Sequence, residues 1–199
     1  MHPSIEVLTP PDAEPVEAAE LAAHLRLNTG TAEYEALDAF IRSARELFER
    51  STGRAVLPTQ FRQWLPRFCA PVDLLRGPVT AIDAVGYLDA DGDEQALDGE
   101  EGEYAADLTG IPAVVYVPDG AYPVLHADTL RPAWIDFTAG WEASSGGNEV
   151  PEVVVTAIKL LAAHYYRFRE SYTEAPLRDL PQGFQAVVNL YDTGLTRGG

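Results

Sequence analysis

Cysteine is nearly absent from this chain of 199 residues, and positive charge is scarce. With Cys69 alone, no intrachain disulfide can form, and a reducing compartment suits the chain. Fourteen Lys and Arg stand against 31 Asp and Glu, a formal net charge of −17. A field of that sign repels phosphate, so binding built on phosphate contacts, sequence-specific DNA recognition above all, is disfavoured. The opening residues Met1-His2-Pro3-Ser4-Ile5-Glu6 have neither a basic region nor an apolar run, which argues against a signal peptide. The most apolar stretch, Val150 to Phe168, is interrupted by Glu152, Lys159, His164 and Arg167, whereas a membrane span needs about 20 mostly apolar residues. The expectation is a soluble chain, used without export and away from membranes.

The usual signatures of catalysis are missing too. There is no Gly-x-x-x-x-Gly-Lys phosphate cradle, no Gly-x-Ser-x-Gly elbow and no pair of histidines at metal spacing. His24 and His164 fall on helical patterns and His126 in a loop near Asp128, none beside a recognisable nucleophile. Cys69 lies between Phe68 and Ala70 in an acidic chain and reads as a small buried hydrophobe, since thiolate activation needs an electropositive setting. Asp89-Ala90-Asp91-Gly92-Asp93, with Glu100 beyond, imitates the ligand spacing of a calcium loop. The glycine such a loop needs at its sixth position is replaced by Glu94, and the flanks look like strands, so a hairpin with its tip at Asp91-Gly92 is the better reading. No catalytic residue, cofactor or metal is expected.

Hydrophobic residues make up 46% of the chain and charged residues 23%, ordinary values for a folded domain. The prolines at 3, 10, 11 and 15 predict an extended amino-terminal arm over residues 1–15, since proline cannot sit in a helix interior. A short helix over about 16–27 follows, with Pro15 in its first turn and Asn28-Thr29-Gly30 as its stop. Tyr34, Leu37, Phe40, Ile41, Ala44, Leu47 and Phe48 recur at three- and four-residue steps, predicting an amphipathic helix over about 32–52 with Thr31 as its N-cap and Gly53 closing it. From 57 to 140 the period changes to two, with strands at Phe61–Leu65, Val79–Leu88, Tyr104–Leu108, Ala113–Val117 and Trp134–Ala139. A helix over about 151–170, its stripe formed by Val154, Ile158, Leu161, Tyr165 and Phe168, should pack on the second helix. The fold class is α+β: a small helical bundle with an inserted antiparallel β region, the whole spanning 16–170.

Residues 171–199 stand apart. After breaks at Pro176 and Pro181 an apolar pattern resumes, but the segment is too short to support a core alone. Leu177, Leu180, Phe184, Val187, Val188 and Tyr191 are therefore the candidate docking surface, with the aromatics as anchors.

The order of the pieces carries a resemblance. Pro15-Val16-Glu17-Ala18-Ala19-Glu20-Leu21-Ala22-Ala23-His24-Leu25-Arg26 is followed by Phe48-Glu49-Arg50-Ser51-Thr52-Gly53-Arg54 and Phe61-Arg62-Gln63-Trp64. Gly77-Pro78-Val79-Thr80-Ala81-Ile82, Tyr87-Leu88-Asp89-Ala90-Asp91-Gly92 and Ile135-Asp136-Phe137-Thr138-Ala139-Gly140-Trp141 come next. The helix from Val150-Pro151-Glu152 through His164-Tyr165-Tyr166 to Arg169-Glu170 closes the series. From Leu8 to Glu170 the layout resembles the head-tail connector (adaptor) family of tailed bacteriophages and gene transfer agents, in its branch with a β insertion. The resemblance implies a non-enzymatic ring of about twelve subunits. That ring would sit below the portal protein, meet a tail-side stopper or connector and continue the DNA channel at the head-tail interface of a particle made in the bacterial host cytoplasm. It also implies that residues 171–199 dock the portal. Acidity suits a wall that DNA must slide past, and equally serves solubility. A small acidic β-containing binding module and a hydrolase with a carboxylate site are the alternatives. A lone exposed apolar patch would mark the first, and convergent carboxylates in a pocket the second.

Overall fold

Leu37, Ile41, Ala44 and Phe48 are fully buried along one face of helix α2 (Thr31–Thr52), while Glu35, Arg42, Glu46 and Arg50 face solvent. The computed structural model describes residues 4–27, 31–68, 71–118, 122–142, 149–168 and 180–194. The chain divides into two units, one formed by Met1–Pro11 and Pro58–Gly140, the other by Asp12–Leu57 and Trp141–Gly199. With four helices and two antiparallel sheets among the described residues, the fold class is α+β.

The helical unit holds α1 (Ala18–Leu25), α2, α3 (Glu152–Arg167) and α4 (Gln182–Tyr191). Helix α3 buries Val154, Ala157, Ile158, Leu161 and Ala162 and packs on α2, as the two matching stripes require. Glu17, extended at φ −76° and ψ 145°, holds the cap position of α1, so Pro15 lies before the helix and not in its first turn. Its stop is Arg26, in the left-handed conformation at φ 58°, with Leu27 N–H bonded to Ala22 O at 3.0 Å; Asn28-Thr29-Gly30 is outside the described residues. Thr31 is already helical and so is not the N-cap expected of it, while Gly53 closes that helix at φ 74° as its sequence position suggested. Phe168, expected in the α3 stripe, caps the helix end and is 51% exposed; Phe40 is only half-buried, edge-on to Tyr166.

The larger correction concerns the carboxyl-terminal segment. Residues 182–191, expected to be too short to support a core, form α4 and add to the helical core, with Phe184 and Val188 buried. Phe184 meets Phe48 edge-on at 6.4 Å, and Tyr191 lies 6.2 Å from Phe48 and 5.9 Å from Trp141. Arg54 donates to Tyr191 O at 2.8 Å and stacks over the Tyr191 and Trp141 rings, and Thr193 binds Thr52 O through both N–H and hydroxyl. A ten-residue helix that is marginal alone is held by these partners.

The β unit has a five-stranded sheet in the order β1-β2-β8-β4-β5 and a three-stranded one in the order β3-β7-β6. The strands are β1 (Ser4–Thr9), β2 (Thr59–Leu65), β3 (Val72–Asp73), β4 (Val79–Leu88), β5 (Glu94–Leu97), β6 (Ala105–Asp107), β7 (Val114–Tyr116) and β8 (Ala133–Ala139). All pairings are antiparallel. Residues 4–9 therefore do not project as an arm; they pair with β2 as an edge strand. Register places Phe61, Gln63 and Leu65 beside Phe137, Ile135 and Ala133 on the buried face, and Arg62 and Trp64 beside Asp136 and Trp134 on the other. Gln63, wholly buried, donates to Asp73 O and accepts from Leu75 N–H, both at 2.9 Å, which satisfies the backbone next to β3. Among the described residues, no helix is long and apolar enough to cross a membrane.

Candidate interaction surfaces

Of the six residues proposed for docking, Phe184 and Val188 are buried, Leu180, Val187 and Tyr191 are half-buried against the helical core, and Leu177 lies outside the described residues. Helix α4 brings Phe184, Val187, Val188 and Tyr191 together on its inner side, and Leu180 packs against the core just before it. On its outer side only Leu190, 72% exposed, offers a large apolar group.

The charged groups divide into those that hold the fold and those left facing water. Arg45, almost fully buried on α2, bridges Glu14 and Glu49 at 2.7 Å each, and Glu49 also accepts Val56 N–H at 2.8 Å. Burial works against the Arg45 charge, yet its bonds with the two carboxylates prevail and raise its pKa. Burial pushes the Glu49 carboxyl above its ordinary range, only partly opposed by Arg45 and the Val56 amide. In the β unit Arg62 grips Asp136 through two bonds of 2.7 Å while lying 5.2 Å and 5.0 Å from the Trp64 and Trp134 rings. The bond to Asp136 raises the Arg62 pKa. Gly86 admits the Trp134 ring beside it, since a Cβ there would stand 2.4 Å from that ring.

The loop that imitates a calcium site spends its first carboxylate on the turn. Asp89 Oδ1 accepts the N–H groups of Asp91 and Asp93, Oδ2 accepts from Gln95 at 2.8 Å, and Gly92 sits at φ 89°. These bonds, the one from Gln95 foremost, hold the Asp89 carboxyl below its ordinary range; Thr109 does the same for Asp107. Asp107 is exposed and Asp89 half-buried against its own turn, unlike a general acid poised in a cleft. Among the described residues, no group of three His, Cys, Asp or Glu side chains is placed to hold a metal ion. His126 is fastened to the hairpin, its N–H bonded to Leu88 O and its ring 3.4 Å from Ala90 O; His164 packs on Phe168 at 4.6 Å. Cys69 lies outside the described residues.

Two further features belong to the β unit, the first legible in the sequence and the second only in the structure. Residues 77–130 contain twelve acidic side chains and no Lys or Arg. A cleft lined by Trp64, Asp128, Thr129, Leu130 and Arg131 opens beside β8. Leu130 is 74% exposed, and Arg131 Nε is buried without a hydrogen-bond partner among the described residues. An exposed leucine beside an arginine and a tryptophan has the composition of a protein contact surface.

No protein-family model matches the chain, and no curated protein does. Solved structures do. A chain from the neck of an empty GTA particle computed with C6 symmetry is 27% identical, with 95% of each chain covered and a TM-score of 0.74. A chain from the virion of a native gene transfer agent (GTA) particle is 28% identical over 94% of each, with a TM-score of 0.73. A third, from the neck of a native GTA particle computed with C12 symmetry, shares the fold at 24% identity and a TM-score of 0.69, over 95% of this chain and 94% of that one.

Proposed function

We propose that this chain is a structural subunit of the neck of a gene transfer agent or related phage particle, where copies of it form a ring below the portal, join capsid to tail and continue the DNA channel. The observation that carries the reading is the match in fold over 95% of both chains to a protein of a particle neck with C6 symmetry. Near-complete coverage matters because both the helical unit and the β unit are then accounted for. A ring requires each copy to present two different, mutually complementary patches, so that the contact closes by rotation. Its partners are further copies of itself, the portal protein and a tail-side stopper or connector, and it performs no chemistry. Twelve acidic residues without a compensating cation between 77 and 130 suit a wall that DNA must pass without adhering.

Portal docking by residues 171–199 belongs to the same reading. Leu177, Leu180, Val187 and Tyr191 are its candidate contacts, while buried Phe184 and Val188 contribute by holding α4 in place. The test is electron microscopy of particles from a producing strain in which this chain carries a density label. Label in a symmetric collar at the head-tail junction is expected. Particles with label on the capsid shell, on the distal tail or nowhere would refute the assignment.

A further inference from the structure

We infer that the cleft in front of β8 is a socket for a second copy of this chain, and that the β5–β6 loop of that copy fills it. The inference rests on the ring reading above and names the two patches such a ring needs. The Arg131 side chain lines the cleft and makes no ion pair or hydrogen bond among the described residues, and its Nε is out of water without an acceptor, a state rare for a buried polar group. Asp128 lines the same cleft but makes no ion pair with Arg131 among the described residues. Trp64 forms a wall, and Leu130, 74% exposed, leaves most of its apolar side chain in water.

The β5–β6 loop has the opposite character. Asp98, Glu100, Glu101 and Glu103 fall within six residues, and no described ion pair reaches any of them. Two of the four set the loop's shape: Glu103 accepts Asp98 N–H at 2.6 Å, and Asp98 accepts Glu100 N–H at 2.8 Å. Gly102, at φ 79°, completes the turn. Glu100 and Glu101 are thus presented on a preformed loop with their carboxylates free for a cation elsewhere, which lowers the ordering cost of a contact. Loop and socket are different places on one unit. Pairing them is a heterologous contact, which repeats round a ring instead of saturating in a two-fold pair.

Charge reversal in assembled particles tests this. Full-length chain carrying Arg131→Glu, or Glu100→Arg with Glu101→Arg, should enter particles at least tenfold less than the unaltered chain, and the three changes combined should restore entry to within about twofold. The loop substitutions lie on exposed positions, so their effect does not come from a damaged core. Full entry of the Arg131→Glu chain, or failure of the combined variant to recover, overturns the socket while leaving the neck assignment in place. Absence of the unaltered chain from particles overturns the neck assignment itself.

Discussion

Replacing Phe184 by alanine separates a helix that completes a core from a tail that waits for a partner. The ring is 1% exposed and stands edge-on to Phe48 at 6.4 Å, itself fully buried. Truncating a buried phenylalanine costs about 3–5 kcal/mol, transfer and cavity together, and an aromatic pair holds about 0.5–1.5 kcal/mol of interaction beyond area alone. The expected loss is therefore about 4 kcal/mol, read from the urea midpoint of the isolated chain followed by circular dichroism. Leu190→Ala on the same helix serves as the control: at 72% exposure it should move stability by no more than about 0.5 kcal/mol. By the same reasoning, deletion after Pro181 should not leave a sound protein that merely fails to attach; it should uncover Phe48 and Trp141 and destabilise the helical unit. A Phe184→Ala loss below about 1 kcal/mol would refute the placement of α4 in the core.

Gly86→Ala would put a methyl 2.4 Å from the Trp134 ring, and the displaced ring should cost about 1–3 kcal/mol in a denaturation experiment. Gln63→Leu keeps the volume but strands Asp73 O and Leu75 N–H, so a similar loss of about 1–3 kcal/mol is expected, with weakened protection of the Leu75 amide in hydrogen exchange. Because burial raises the Glu49 pKa, the folded chain holds that proton more tightly than the unfolded one. Its contribution to stability is full below the ordinary carboxylate range and is lost as pH rises through the raised value; Glu49→Gln, which can still accept Val56 N–H, should flatten that slope in stability measured against pH.

What the sequence makes legible is what depends on neighbours a few residues away. The stripe from Leu37 to Phe48 announces α2, and alternation along Phe61, Gln63 and Leu65 announces the buried face of β2. The hairpin at Asp91-Gly92 follows from turn chemistry alone. Strand β3, two residues long, has no periodicity to detect. Helix α4 was misread because its partners, Phe48, Arg54 and Trp141, are remote in sequence, and a local argument sees only ten residues between prolines and a polar tail. For the same reason the Arg62 clamp on Asp136, 74 residues away, and the stranded nitrogen of Arg131 emerge only when the strands are paired.

The interleaving of the two units sets a timetable for synthesis. Helices α1 and α2 leave the ribosome with their apolar faces complete, yet the helix that covers them begins at Glu152, about 100 residues after α2 ends. At about 5–20 residues per second, that wait lasts on the order of 5–20 seconds. Edge strand β1 waits in the same way for β2 while the first two helices are made. During the interval the exposed stripe of Leu37, Ile41 and Phe48 is a target for chaperones and for other nascent copies. Only when α3 and α4 have been made can the helical unit close, so the last tenth of the chain decides whether everything before it becomes a usable subunit.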